Sequence, residues 1–232
     1  MSGFFNMDGP FYRIGALIAD VMILNFYWIL FSLPLFTIGA STTALYYVMT
    51  RRISDREGYL FRDFWTSFKS NFKQATIIWL IFLAALTILL INIQNINLIG
   101  NIKTFVYPVQ IFFLLELILC YLYILPIIAR FEISLKDSFK TAFFMANRHP
   151  LTSVCCIVIG CAVLLASYIT IILSLAAMGL YVFLTSYLFI RVFRKYRPEI
   201  DQDPILINQI ASEDIASDEH SEADGGLNDR SQ

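Results

Sequence analysis

The chain has 232 residues, of which 58% are hydrophobic, 16% aromatic and only 15% charged, with a formal net charge of −1. Soluble domains average roughly 25% charged residues, so this composition excludes an ordinary soluble domain: there is too little polar surface, and lipid must cover much of the chain. The near-zero net charge hides a segregation, because residues 1–198 hold 16 Lys and Arg against 8 Asp and Glu, while residues 199–232 hold one Arg against 10 acidic residues.

Residues 1–13 mix Phe4, Phe5, Phe11 and Tyr12 with the turn signal Asp8-Gly9-Pro10, which suits an aromatic segment at headgroup depth leading into a helix. The first twelve residues carry no Lys or Arg, and the apolar run that follows is too long for the apolar core of a signal peptide. The first span is therefore expected to be retained.

Residues 14–49 form an apolar run in which Asp20 is the single charge. As one helix it would extend about 54 Å, against a hydrocarbon core of about 30 Å. The run is expected to break at Leu33-Pro34, where the proline removes an amide donor, and through Thr37-Ile38-Gly39-Ala40-Ser41-Thr42-Thr43, whose hydroxyls can satisfy freed backbone groups. This predicts one span over about 14–34, a break marked by Pro34 and Gly39, and a shorter helix reaching Arg51-Arg52.

Between residues 61 and 72, Phe61, Phe64, Trp65, Phe68 and Phe72 repeat at helical spacing, with Arg62, Asp63, Lys69 and Lys73 off that stripe. Such a segment reads either as an interfacial helix lying in the membrane surface or as a helix packed across the ends of the bundle. A second span is predicted over 75–93, an Asn-rich loop over 94–103, and a third span over 104–127 that contains Glu116 and ends at another break, Leu125-Pro126. A second amphipathic basic stretch follows, carrying Phe139, Lys140 and Phe143. The final apolar block, 150–190, suffices for two spans with a turn near 174–179.

The two amphipathic stretches echo each other at an offset of 71: Ser67, Phe68, Lys69, Phe72 and Ala75 correspond to Ser138, Phe139, Lys140, Phe143 and Ala146. An internal repeat of the kind that underlies transporter folds and convergent amphipathicity both account for this. Of the 17 Lys and Arg, 14 lie in 51–73, 130–148 and 191–197. By the positive-inside rule these segments, and with them the acidic tail, belong in the cytoplasm. The N-terminus falls outside if residues 36–50 hug the surface and inside if they cross back, the second giving six crossings. Residues 199–232 bury too little apolar surface to fold and are expected to be disordered, as a solvated tail or a partner-binding one.

Three polar groups stand at membrane depth: Asp20, Asn25 and Glu116. Ionisable groups there are costly and serve as candidates for a substrate, proton or cation path. The plainer reading of Glu116 is a carboxyl hydrogen-bonded to a neighbouring helix, that of Asp20 an interfacial position, and that of Asn25 with Trp28 an interhelical bond. Nothing in the motifs points to catalysis, a cofactor or a metal. His149 reads as a cap or an interfacial residue before Pro150, Cys120, Cys155, Cys156 and Cys161 read as buried free thiols, and no phosphate loop or nucleophile elbow occurs. The basic segments flank spans, which favours lipid headgroups over nucleic acid.

Asp8-Gly9-Pro10-Phe11-Tyr12-Arg13, Asn25-x-x-Trp28, Leu33-Pro34-x-x-Thr37-x-Gly39-Ala40-Ser41-x-Thr43-Ala44-Leu45, Ser67-Phe68-Lys69-x-Asn71-Phe72-Lys73-Gln74-Ala75 and Pro126-x-x-Ala129-Arg130-Phe131-Glu132 together resemble the YesL-like bacterial membrane proteins, a domain family of unknown function. The resemblance covers about 8–197 and leaves out the acidic tail. It implies an all-α polytopic bundle of five to six spans in a bacterial plasma membrane, and an accessory role in carbohydrate import, with an ABC-type sugar permease or a homo-oligomer as partner. It supplies no catalytic or binding residues. A small secondary carrier or channel around Glu116, and a membrane sensor acting through the tail, are the alternatives.

Overall fold

The computed structural model describes residues 10–54, 58–96, 100, 102–131, 133–169 and 176–196, and it is all-helical among them. The elements are α1 (Pro10–Phe31), a 3-10 turn (Leu35–Thr37), α2 (Ile38–Ile53), α3 (Leu60–Gln94), α4 (Lys103–Arg130), α5 (Leu135–Arg148), α6 (Pro150–Ile169) and α7 (Ala177–Tyr196). Met1–Phe189 form one packed unit, and Ile190–Gln232 a second, of which only the last turns of α7 are described. Residues 1–9 of the aromatic N-terminal segment, the first two residues (174–175) of the turn expected near 174–179, and the acidic tail lie outside the described residues, while 177–179 belong to the first turn of α7.

The expected break at Pro34 is present, and its backbone is satisfied from within. Helix α1 ends at Phe31, and Thr37 Oγ1 donates to both Phe31 O and Pro34 O at 2.6 Å. The chain then reverses. Trp28 Nε1 donates to Thr42 Oγ1 at 3.0 Å, and Asp20 pairs with Arg52 at 2.6 Å, so α2 runs back along α1 as an antiparallel hairpin.

Helix α2 is the centre of the packing: Gly39 to Tyr46 are all buried, as are Val48 and Met49. The sequence permits this because its side chains there are small and its hydroxyls are turned onto their own helix. Ser41, Thr42, Thr43 and Thr50 donate to the carbonyls of Thr37, Ile38, Gly39 and Tyr46, at 2.7 to 3.1 Å. With those groups satisfied internally, backbones approach closely. A Cβ on Gly39 would lie 2.5 Å from Ala75 O and 2.8 Å from Trp79 Cβ. Gly39 thus belongs to the first turn of α2, where close approach to α3 requires it, and not to the break itself.

Helix α3 corrects one expectation. The amphipathic stretch and the second span are not separate elements but one 35-residue helix, about 52 Å long. No Gly or Pro interrupts residues 60–94, so the hydrogen-bond ladder simply continues. The aromatic stripe packs on α1, with Tyr27 against Phe61 and Phe64, and Phe31 against Phe64, Trp65 and Phe68, at centroid distances of 5.2 to 6.0 Å. Each such pair adds about 0.5–1.5 kcal/mol beyond area burial. Phe64 and Phe68 are buried in protein and do not face lipid, while Phe72 is half-buried. Beyond Ile78 the apolar face of α3 is turned outward.

A second correction concerns Pro126. It lies inside α4, which continues to Arg130. Residues 123–129 are all buried, and this packing holds the helix together where the proline removes one bond. The break falls instead after Arg130, where the C-cap Phe131 N–H donates to Ile127 O at 2.8 Å, and a further break follows at His149, the C-cap of α5, whose N–H donates to Met145 O at 3.1 Å. There Ser153 Oγ donates to Ala146 O and His149 O, and Tyr123 O–H donates to His149 O. His149 is a cap, as expected.

Helix α5 starts with a capping pair: Ser134 Oγ donates to the Asp137 carboxylate at 2.6 Å, and Asp137 N–H donates back to Ser134 Oγ at 3.3 Å. Across the offset of 71, Ser67 and Ser138 are both buried, Ala75 and Ala146 are both buried, and Lys69 and Lys140 are both exposed. The aromatic pairs diverge, since Phe68 is buried and Phe139 half-buried, and Phe143 is exposed. The helices diverge too: α3 runs on where α5 stops.

The thiols are a third correction. All four cysteines are free, but only Cys156 is buried; Cys120 is half-buried, and Cys155 and Cys161 are exposed on α6. An apolar run in a membrane helix need not face the protein, and α6 also exposes Leu151, Val154, Val158, Leu164 and Leu165.

Candidate functional site

Each of the three polar groups flagged at membrane depth has a definite partner, and in each case the partner lies on another helix. Asp20 accepts from Arg52 Nε on α2 and is only 14% exposed at its side chain. One residue along, Arg51 pairs with Asp63 of α3 at 3.5 Å. Two consecutive arginines therefore tie α2 to α1 and to α3 at the same end of the hairpin. Asp20 is thus one half of an interhelical ion pair.

Asn25 is almost fully buried, and its Oδ1 accepts from Gly179 N–H at 2.7 Å. The first amides of a helix have no partner within it, and Asn25 supplies one for α7 from the middle of α1. Trp28 does not share this bond, since its indole N–H goes to Thr42.

Glu116, half-buried on α4, accepts from Asn147 Nδ2 of α5 at 2.7 Å. Cys120 Sγ, one turn on, is a weaker donor at 3.8 Å to the same oxygen. The same Asn147 amide reaches Phe143 O at 3.1 Å. The carboxyl is thereby held against its neighbour, joining antiparallel α4 and α5.

The structure adds residues that composition did not single out. Gln74 Nε2 donates to Ser138 Oγ and to Ile133 O, both at 3.0 Å, clasping α3 to the start of α5. Tyr46 OH and Thr185 Oγ1 are 3.1 Å apart. The rings of Tyr46 and Tyr123 both meet Phe189 edge-on, at 5.9 and 5.2 Å. Trp79 Nε1 donates to Leu35 O at 2.8 Å, pinning the 3-10 turn. Gln74 has polar neighbours in Asn71, Lys73 and Thr76, and the tyrosines are 12 in number, so no local pattern set these residues apart.

Among the described residues no group of three or more His, Cys, Asp or Glu is placed to hold a metal ion. Three helices, Leu60–Gln94, Lys103–Arg130 and Pro150–Ile169, are long and apolar enough to cross a membrane, and the apolar helices Gly15–Phe31 and Ala177–Phe193 are shorter. The chain is a membrane-embedded helical protein.

No curated protein and no solved structure matches the chain. One family model does, and the region it matches coincides with the hairpin and the long helix whose bonds to one another are described above. Residues 21–93 match the model of the family described as "Protein of unknown function, DUF624", with which the YesL-like resemblance is consistent.

Proposed function

We propose that this protein acts without catalysis, as an accessory component of bacterial carbohydrate uptake in the plasma membrane, with its basic loops and C-terminal tail in the cytoplasm. The observation that carries the non-catalytic, non-conducting part is the use made of its intramembrane polar groups. Asp20, Asn25 and Glu116 are each committed to a bond between helices, and a carrier needs such groups free to exchange partners with a cargo or proton. The carbohydrate part rests on the family resemblance. The orientation rests on the 14 Lys and Arg concentrated in three segments. The antiparallel hairpin supports placing the start of α1 on the same side as Arg51 and Arg52.

The test is recovery of the tagged full chain from its native membrane in gentle detergent, with co-purifying proteins identified by mass spectrometry. Stoichiometric recovery of an ABC-type sugar permease is the expected result. Recovery of the chain alone, or only with itself, rules the accessory reading out. Glu116→Gln separates this reading from a carrier: sugar uptake should survive it in an accessory protein and fail in a proton- or cation-coupled carrier.

A further inference from the structure

Helix α5 leaves the end of α4 and returns alongside it, so that Asn147, in its last turn, bonds Glu116 at 2.7 Å. Glu116 stands midway along α4, about 20 Å from Lys103 at one end and from Arg130 at the other. Those three are the charges of a helix long and apolar enough to cross a membrane. The corner Asn147-Arg148-His149-Pro150 is therefore at mid-membrane depth. Lipid offers no hydrogen bonds there, and polar groups need protein or water beside them.

Asn147 and Arg148 are nevertheless exposed, and Glu116 is only half-buried. Asn147 gives its amide N–H groups to Glu116 Oε1 and to Phe143 O. Among the described residues, Glu116 Oε2 and Asn147 Oδ1 accept nothing. One position on, Arg148 lies at the same height to within about 1.5 Å, turned about 100° round α5. The turn is away from α4, since Ala146, on the opposite side of Asn147, is buried. The outer surface thus carries acceptors on one flank of α5 and a guanidinium on the other, with exposed Phe143 and Phe144 one turn before them.

From this arrangement we infer that α5 is the contact surface for a second copy of this chain, related by a two-fold axis along the membrane normal. Such an axis keeps each residue at its own height and sets the acceptor flank of one α5 against the guanidinium flank of the other. Arg148 of each copy then meets Glu116 Oε2 and Asn147 Oδ1 of the other, with Phe143 and Phe144 packed between. A patch that holds both a donor and its acceptors is self-complementary, as a two-fold contact requires, and a guanidinium–carboxylate pair is a strong, charge-assisted one. Lipid would cover the two rings and leave the polar groups unmet. Lys136 and Lys140 share this face nearer the start of α5, so the two helices cross near Asn147 and diverge toward their lysines.

The experiment coexpresses two full-length chains with different affinity tags, extracts them in mild detergent and measures how much of one is recovered on the other. Wild-type chains should be recovered together. Glu116→Arg in both chains, or Arg148→Glu in both, sets like charges against each other and should weaken self-association about 30-fold. A Glu116→Arg chain coexpressed with an Arg148→Glu chain should pair again, because both contacts then join opposite charges. Should the reversed chains fail to fold, Phe143→Cys in a chain whose native cysteines are replaced by alanine gives a second readout. It should cross-link to itself under oxidation in the native membrane, and Ile88→Cys, on the exposed face of α3, should not. Four results overturn the proposal: wild-type chains recovered singly, reversed chains that associate as wild type does, a mixed pair that stays apart while each chain is monodisperse, or equal cross-linking at both positions. The readout is the pairing of two copies, so it stands or falls separately from recovery of a permease.

Discussion

Asn25 and Gly179, 154 positions apart, are joined by a 2.7 Å hydrogen bond from the glycine N–H to the asparagine side-chain oxygen. The bond closes the first helix onto the last, and the glycine is required for it. A Cβ on Gly179 would lie 2.9 Å from Val21 O and 3.0 Å from Asn25 Cβ.

Asn25→Ala should therefore leave a buried N–H unpaired and cost about 1–3 kcal/mol. In a thermal melt of the detergent-solubilised protein, Asn25→Ala and Gly179→Ala should each lower Tm. The double variant should lose less than the sum, since both changes break one contact. Full additivity would mean the bond does not join the two helices as described.

Gly39→Ala places a methyl against Ala75 O and should cost about 1–3 kcal/mol by overpacking. Gly15→Ala is the matched control. It sits in α1 with nothing within 4 Å of the added Cβ, and it should be neutral or stabilising by up to about 1 kcal/mol. If the two variants melt alike, α2 and α3 are not in the close approach that Gly39 allows.

The Asp20–Arg52 pair invites a double-mutant cycle. Its arginine side chain is 36% exposed, so solvent screens part of the attraction, and a coupling of about 1 kcal/mol is expected. Asp20→Asn, Arg52→Gln and the double variant, melted at low and at high salt, give the measurement. A coupling indistinguishable from zero at low salt would remove the pair as a tie between α1 and α2.

Thiol labelling checks the orientation of α6. Cys155 and Cys161 should react with a membrane-permeant maleimide in detergent, Cys120 more slowly, and Cys156 only after unfolding. Single-cysteine variants and mass spectrometry would resolve the order, and early labelling of Cys156 would contradict the packing of α6.

Much of this fold was legible in the sequence. The hairpin break was readable because Pro34 and the hydroxyls after it act locally, within one turn. The identity of Asp20, Asn25 and Glu116 as special groups was readable because polar residues are rare in such runs. Their partners were not. Arg52 looked like one more topogenic charge, Asn147 like one more polar residue on an amphipathic helix, and Gly179 like a turn signal. Each pairing depends on which helices become neighbours, and no local pattern encodes that. Pro126 and the aromatic stripe misled for a related reason. A proline's effect depends on whether packing holds the helix around it, and an apolar stripe reads the same whether lipid or Tyr27 and Phe31 lie across from it.

The unbroken course of α3 has a consequence for how this chain can vary. Its first turns are keyed to the rings of α1 and its later turns present an apolar flank to the outside, with no joint between them. Inserting or deleting one residue near Gln74 would rotate one part against the other by about 100°, swinging either the stripe away from Phe31 or the apolar flank inward. Changes of seven residues, close to two full turns, would nearly restore the alignment while lengthening or shortening the rod by about 10 Å. The helix thus behaves like a key with teeth at one end and a handle at the other: its length can change only in steps that leave both facing the same way.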